Sequence, residues 1–321
     1  MKCVKFPQIV GCYIWISRVD LNWSAGYFTV KISSLFPNYY LSAPNYWFMK
    51  IIFRNVLYFI SASVLLGSCS NDPYAASRKA YKQQLKTYIK TLKEMTPTVL
   101  PPDSVPSSEW VATVNYNLRK PNFVIIHHTA QDSLAQTLKT FTLTRTQVSA
   151  HYVVGRDGKV VHMLNDYLRA WHAGNAKWGN STDINSNSIG IELDNNGKEP
   201  FADAQINSLL VLLGKLKSTY NIPAANFIGH ADIAPTRKPD PSEKFPWKKL
   251  ADKGFGLWYT MPLDTVPADF KPLEALRIIG YDTRNGDAAI TAFKRHFIQY
   301  DVTPTLTDST KLILYNLYKK Y

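Results

Sequence analysis

One short stretch of the sequence carries three side chains that could do chemistry together. Residues 229–241 have the sequence GHADIAPTRKPDP, which contains His230, Lys238 and Asp240. The apolar run Asn226-Phe227-Ile228 before it predicts a short strand with His230 at its end. Prolines on both sides of Asp240 fix the backbone and exclude a regular helix there. An imidazole and a carboxylate on a stiff loop suit a zinc ion, although an ordinary polar loop with a surface ion pair is the alternative.

Two other predicted strands also end in polar side chains. Residues 123–126 form a buried-strand run followed by His127 and His128, and residues 188–193 form a strand with Glu192 near its end. Side chains alternate across a strand, so only one of the two adjacent histidines can face a given site. Two neutral imidazoles and one carboxylate would bind zinc and leave one position for water. A second carboxylate, not bound to the metal, would take the proton from that water.

The sequence offers candidates for the base and for a stabilising charge. Glu192 suits the base, because Gly190 lies on the same strand face and leaves room above the sheet. Tyr152 is the next candidate if Glu192 does not act. Lys238 could stabilise the negative charge that develops on a carbonyl oxygen under attack.

A mixed sheet with flanking helices is predicted to position these groups, which makes the fold class α/β (α+β). Hydrophobic periodicity predicts helices over 74–95, 133–143 and 203–220, and strands over 123–126, 149–154, 160–163, 188–193 and 226–228. The pair Asp157-Gly158 predicts a hairpin turn between two of the strands. From Thr265 the composition shifts, and three short helical patterns predict a three-helix module over 265–321 with its own core.

The first part of the chain differs in character from the rest. Residues 1–48 show no sustained period, so we assign them no element. We expect translation to start at Met49, because a signal-peptide pattern begins there and signal peptides lie at the N-terminus of a protein. Residues 49–68 run from basic to apolar to small residues, which is the order of a signal peptide. The string LLGSC, which ends at Cys69, resembles a bacterial lipobox, and that resemblance implies a signal peptide of the lipoprotein type and diacylation of Cys69. A single transmembrane anchor is the alternative, but the apolar run is shorter than the ~20 residues a spanning helix needs. Residues 69–114 are predicted to be an amphipathic helix and a Pro-rich linker.

Charge and cysteine content limit the classes of function. The formal net charge of +13 favours an anionic partner. No helix-turn-helix, zinc-finger or RNA-binding motif is present, so nucleic acid is not expected as that partner. The three cysteines all lie within the first 69 residues. A disulfide framework and a thiolate metal site are therefore excluded from the rest of the chain.

At these motifs the sequence resembles a known family. The strings FVIIHHTA, VSAHYVVGRDGKV, RAWHAG, SIGIEL and GHADIAPTRKPDP resemble zinc-dependent N-acetylmuramoyl-L-alanine amidases, whose fold is shared by phage amidases and peptidoglycan recognition proteins. The match runs from about Asn115 to Leu250. It implies a catalytic domain over 115–264, with a mixed sheet flanked by helices and zinc in a surface groove.

The resemblance also implies roles for individual residues. The implied zinc ligands are His127, His230 and Asp240, with Glu192 as general base and Lys238 assisting the transition state. Phage relatives carry a catalytic tyrosine where this chain has Ala150. The Glu192 type belongs to the bacterial branch that cleaves muropeptides. The strings LRIIGY and AITAFKRHF resemble a three-helix peptidoglycan-binding domain.

The remaining polar and aromatic candidates have both a functional and a structural interpretation. Three of them could contact sugar or peptide in the groove, or could instead pack inward and fix the loop that carries them: Trp171, His172 and Trp178. The other candidates are expected to be structural: His128 and His162 in packing, His151 in the core or behind the ligands, and Arg237 in a local ion pair.

Together these observations predict a monomeric, lipid-anchored zinc amidase of the cell envelope, at the outer membrane. Its reaction would be hydrolysis of the amide bond between N-acetylmuramic acid and L-alanine, in peptidoglycan or muropeptides, during cell-wall turnover. A non-catalytic recognition protein is the alternative, although such relatives lose a ligand. A zinc peptidase acting within the stem peptide is less favoured, because no HExxH spacing is present.

Overall fold

Two units make up the chain, Met1–Lys82 and Gln83–Tyr321. The structure, a computed structural model, describes residues 19–24, 27–32, 40–43, 72–94, 118 and 120–321. Cys69, the predicted signal peptide over 49–68 and the Pro-rich part of the predicted linker lie outside the described residues.

The first unit contains a small antiparallel sheet. Its strands are β1 (Val19–Ser24), β2 (Tyr27–Ile32) and β3 (Tyr40–Ala43), in the order β1-β2-β3. Our assignment of no element to residues 1–48 is therefore wrong for these segments. The segment VDLNWS alternates apolar and polar residues, which is the strand period, so the sequence did contain the pattern.

Helix α1 (Ala75–Glu94) confirms the predicted helix over 74–95 and crosses the boundary between the two units. None of its residues is buried. Among the described residues, no helix combines the length and the apolar character that crossing a bilayer requires.

A mixed five-stranded sheet forms the centre of the second unit, in the order β6-β5-β7-β4-β8. The strands are β4 (Phe123–His128), β5 (Tyr152–Val154), β6 (Val160–His162), β7 (Ser188–Leu193) and β8 (Phe227–Gly229). Strand β4 pairs in parallel with β7 and β8, and β5 pairs in parallel with β7 and antiparallel with β6. The predicted mixed sheet is confirmed.

Helices cover both faces of this sheet. They are α2 (Leu134–Phe141), α3 (Asp203–Tyr220), α4 (His230–Ile233), α5 (Trp247–Ala251), α6 (Pro272–Ile279), α7 (Gly286–Phe297) and α8 (Asp308–Tyr318). Helix α3 occurs at its predicted bounds. Its apolar side packs on one face of the sheet, where Leu209 and Leu213 share a core with Val124 and Ile126 of β4.

The opposite face of the sheet packs against the three C-terminal helices. Ile125 of β4 and Ile228 of β8 belong to the same core as Leu276 of α6, Phe293 of α7 and Leu314 of α8. The three predicted helices are present, but the expectation of a separate core for them is wrong. The chemical groups at the ends of β4 and β8 therefore lie on the face that the C-terminal helices cover.

Candidate metal centre

Parallel strands bring the predicted site residues to one edge of the sheet. In the pairing of β4 with β7, His127 is the partner of Glu192. In the pairing of β4 with β8, Ile126 is the partner of Gly229, so His230 follows at the level of His127. The carboxyl ends of parallel strands meet at the same edge, which is why motifs far apart in sequence converge here.

Three of these side chains point ligating atoms at one another. Nδ1 of His127 lies 2.9 Å from Nδ1 of His230 and 3.1 Å from Oδ2 of Asp240, and the latter atom is 3.0 Å from Nδ1 of His230. All three residues are buried, and their candidate ligand atoms lie within 4.8 Å of one another. Two imidazole nitrogens and one carboxylate oxygen are the donor set of an open zinc site.

A chain of hydrogen bonds fixes which nitrogen of His127 carries the proton. The Ser188 hydroxyl donates to the Ile184 carbonyl at 2.6 Å, so its oxygen must accept from Nε2 of His172, 3.2 Å away. Nδ1 of His172 is then an acceptor, and it lies 3.0 Å from Nε2 of His127. Nε2 of His127 therefore holds the proton, and Nδ1 presents its lone pair to the centre.

The same deduction applies to His230. Its Nε2 lies 3.0 Å from the carbonyl oxygen of Ala173, which can only accept. The Arg237 guanidinium, which can only donate, is farther from Nε2, at 3.3 Å, and already donates to that carbonyl at 2.6 Å. Nε2 therefore carries the proton, and Nδ1 carries a lone pair. Lone pairs of two imidazoles and one carboxylate thus face one another without a proton between them. A cation is what relieves such an arrangement.

The electrostatic environment keeps these groups in the protonation states that metal ligands need. Burial, together with repulsion from His230, lowers the pKa of His127 to about 4, despite its contact with Asp240. Burial acts to raise the pKa of Asp240, but its close contacts with His127 and His230 outweigh burial and hold that pKa well below its usual range. Neutral imidazoles and an ionised carboxylate are the ligand forms.

Glu192, the strand partner of His127, lies beside this cluster. Its Oε2 is buried and has no hydrogen-bond partner among the described residues. Burial and the negative charge of Asp240 raise the pKa of Glu192 to about 8, and the positive charge of Lys238 opposes that rise. Lys238 is half-buried, so its charge acts on the centre from the edge of the solvent.

Comparison with known proteins agrees with this geometry. A family model described as N-acetylmuramoyl-L-alanine amidase matches residues 117–243. The N-acetylmuramoyl-L-alanine amidase AmiD of Escherichia coli (strain K12) is 37% identical over 213 residues, which cover 54% of this chain and 74% of that protein. The chain belongs to the N-acetylmuramoyl-L-alanine amidase family.

Two solved structures resemble this amidase over most of their length. One is the complex of AmiD from E. coli with the substrate anhydro-N-acetylmuramic acid-L-Ala-D-gamma-Glu-L-Lys, with a TM-score of 0.57, 30% identity and coverage of 67% of this chain and 94% of that one. The other is AmpDh3 from Pseudomonas aeruginosa, with a TM-score of 0.59, 30% identity and coverage of 66% and 96%.

The predicted substrate contacts of this amidase are only partly compatible with the structure. Trp171 is 53% exposed and can meet a ligand. His172 is buried behind His127, so its expected place in the groove is wrong. Trp178 is only 7% exposed, because its ring packs against Gly280 and, at 5.0 Å between centroids, against Tyr281. The groove assignment of Trp178 is wrong as well.

The other polar candidates have structural contacts. His128 accepts a hydrogen bond from the Ser242 amide, His151 accepts one from the Gly190 amide, and His162 stacks on Tyr152. Arg237 makes no ion pair with any described residue, contrary to expectation, and its guanidinium donates instead to the carbonyls of Ala173 and Asn175.

Tyr152 is committed elsewhere and cannot serve as the alternative base. Its hydroxyl donates to Asp166, which also accepts from Tyr220. Burial and the bond to Asp166 raise the pKa of Tyr152 far above its usual value. A base would have to lose that proton near neutral pH, so Glu192 is the better candidate.

Sequence reasoning missed the residues that hold the ligands in place. Ser188 and Asn185 support His172 from behind, the latter through a bond from the His172 amide to its side-chain oxygen. Asp232 lies inside the GHADI motif but was assigned no role. The sequence did indicate a structural role for Asp232, because it lies between apolar neighbours just after a core strand. A carboxylate buried in such a place must find hydrogen-bond donors.

Proposed function

We propose that this amidase holds a zinc ion through His127, His230 and Asp240. The observation that carries the proposal is the meeting of three unprotonated ligand atoms within 4.8 Å. As a member of its family, the protein is a hydrolase of the amide bond between N-acetylmuramic acid and L-alanine in peptidoglycan and muropeptides. Such an activity belongs to cell-wall turnover.

The donor set fits zinc in kind and number. Three protein ligands of the nitrogen and oxygen type leave one position of a tetrahedral ion free. The proton-bearing nitrogens of both histidines already have partners, which keeps their rings oriented. A zinc ion bound there supplies a Lewis acid that polarises the amide carbonyl and makes water acidic enough to react near neutral pH.

Glu192 would move the proton in the reaction. Its free Oε2 accepts the proton of the attacking water and later delivers it to the nitrogen of the departing L-alanine. A dication at the neighbouring ligands would favour the ionised form of Glu192 and so counteract the raised pKa. Lys238 contributes positive charge where the carbonyl oxygen becomes negative.

The substrate class is peptidoglycan or its muropeptide fragments. Support comes from the AmiD relative, whose complex contains an anhydro-muramyl tripeptide described as its substrate. Trp171, exposed and adjacent in sequence to His172, is the proposed contact for sugar or peptide. A recognition protein that binds without cutting is not favoured, because every predicted ligand and the base are present.

Replacing Glu192 tests this function most directly. Glu192→Gln should keep zinc and fold but lose on the order of 10²–10⁴ in turnover, the usual contribution of a general base. His230→Ala is the matched control, since it should lose zinc as well as activity. Zinc is measured by elemental analysis, and the products of muropeptide digestion by mass spectrometry. Near wild-type cleavage by Glu192→Gln would contradict the assigned role.

We also propose that the mature chain begins at a lipid-modified Cys69 and acts as a monomer on the outer membrane. The support is the basic, apolar, small-residue order that ends in LLGSC. Two acyl chains hold a protein firmly at a membrane, whereas one does so only marginally. Cys69→Ala should move the amidase into the soluble fraction with its activity intact. A variant that stays membrane-bound, with peptides from residues 1–48 detected, would favour a transmembrane anchor.

A further inference from the structure

The short helical turn α4 carries one proposed zinc ligand and holds another. His230 is its first residue. The amide of Ala231 donates to the carbonyl oxygen of Asp240 at 2.7 Å, which ties the Pro-bracketed loop to this turn. Any displacement of α4 therefore moves two of the three ligands together.

The third residue of α4 anchors the turn to the C-terminal helices. Asp232 is 2% exposed, and its carboxylate accepts three hydrogen bonds. One comes from the Gly229 amide at 2.7 Å. The other two come from the Tyr281 hydroxyl at 2.7 Å, just after α6, and from Nδ1 of His296 at 2.8 Å, on α7. Tyr281 and His296 thus lie outside residues 117–243, the segment that the family model matches.

The surroundings of this contact leave little freedom for rearrangement. The His296 ring stacks on Trp247, with 3.8 Å between centroids and 15° between planes. A Cβ added to Gly229 would lie 2.9 Å from Pro241 and 3.0 Å from Trp247, so the start of α4 is closely enclosed. The direction in which His296 donates is therefore set by packing and not by the hydrogen bond alone.

We propose that Tyr281 and His296 are positioning residues of the metal centre, acting on His230 and Asp240 through Asp232. A buried carboxylate that loses a donor is costly, and α4 would shift to recover one. Ligand–metal distances in a well-formed site lie within about 0.2 Å of their ideal values, so a small shift of the ligands weakens zinc binding. The C-terminal helices would then be part of the catalytic apparatus. This inference rests on the proposed zinc site.

The test compares variants of the full chain that remove one donor each. Tyr281→Phe deletes only a hydroxyl, and His296→Leu deletes the ring donor, whereas His296→Asn keeps a donor close to the position of Nδ1. Tyr318→Phe is the matched control, because it removes the same atom from α8, outside the contacts of Asp232. The readouts are zinc affinity by competition with a chromophoric chelator, the visible spectrum of the Co²⁺-substituted protein, and kcat and KM at saturating zinc.

We expect Tyr281→Phe and His296→Leu to weaken zinc binding by about 10–100-fold, the usual effect of removing a partner behind a ligand. The Co²⁺ bands should shift and kcat should fall with KM unchanged, His296→Asn should recover part of the loss, and Tyr318→Phe should match wild type. Unchanged affinity and spectra in both donor-deleted variants, with only a lower melting temperature, would overturn the inference. A wild-type chain that binds no zinc would overturn the proposed site together with it.

Discussion

At the scale of single residues, the orientation of His127 depends on a buried side chain behind it, His172. Nδ1 of His172 accepts a hydrogen bond from Nε2 of His127, and Nε2 of His172 donates one to the Ser188 hydroxyl. The ring of His172 occupies the space above Gly190, where an added Cβ would lie 2.4 Å from its Cγ. The glycine in SIGIEL thus makes room for the support of a ligand, and not, as the sequence suggested, for open space beside Glu192.

This close approach predicts a severe effect of one methyl group. Gly190→Ala should push the His172 ring away from His127 and reduce both zinc content and turnover, about 10–100-fold in affinity. Gly214→Ala in α3 is the matched control, because its Cβ would meet only Phe255 at 3.8 Å and alanine favours a helix. Zinc titration and muropeptide turnover provide the comparison. Equal zinc affinity in the two variants would show that His172 has no influence on the ligand.

The sequence predicted which residues form the candidate metal centre, but not the residues behind them. His127, His230 and Asp240 are tied to strand ends and a proline-fixed loop, so spacing alone restricts where they can lie. His172 and Trp178 sit in a loop, where no periodicity tells which side chains turn inward. A contact in the groove and a structural role were both open for these two residues, and burial places both inside the protein.

At the scale of secondary-structure elements, the end of α7 contains a fully buried lysine. Nζ of Lys294 lies 2.5 Å from Oδ2 of Asp301, 3.1 Å from the Thr303 hydroxyl and 3.0 Å from the Thr305 carbonyl. These bonds fasten the segment between α7 and α8 to the helix that also carries His296. The hydrogen bond from Lys294 lowers the pKa of Asp301 from 3.8 to about 2.

The lowered pKa predicts a defined window of acid sensitivity. Because Asp301 titrates lower in the folded protein, its ion pair stabilises the fold fully above its unfolded pKa of 3.8, and this is lost as the pH falls toward 2. Asp301→Asn should therefore be less stable than wild type at pH 6, and the difference should shrink progressively below pH 4. Urea unfolding at several pH values measures it. A difference independent of pH would assign the effect to packing instead of charge.

Most elements of the second unit could be predicted, because their periodicity is set by burial on one face. Helix α3 places Ile206, Leu209 and Leu213 in one core, and β7 alternates Ile189 and Ile191 with Gly190 and Glu192. Strand β5 proved shorter than its apolar pattern, since pairing with neighbours and not composition decides where a strand begins. In the first unit, the alternation in β1 was present but overlooked.

At the scale of the whole molecule, the C-terminal helices and the sheet form one packed body. The change of composition at Thr265 marks a change in secondary structure and not a boundary of packing. Apolar spacing shows that a helix buries one side, but it does not show what covers that side. Here Ile228 and Ile233, next to the metal centre, share a core with Phe293 and Phe297 of α7.

A shared core predicts that the metal centre and the C-terminal helices unfold together. Phe293→Ala should destabilise the protein by about 3–5 kcal/mol, as for other large-to-small core changes. In denaturant, zinc release and loss of helical circular dichroism from the second unit should keep a common midpoint, shifted equally to lower concentration. Phe245→Ala is the control from the core on the opposite face of the sheet, where Phe245 is equally inaccessible, and it should shift both probes in the same way.

Helical signal lost at a lower denaturant concentration than zinc, in wild type or in Phe293→Ala, would instead show that the C-terminal helices are an independent module. The support that Tyr281 and His296 give to Asp232 would then be dispensable for holding the metal.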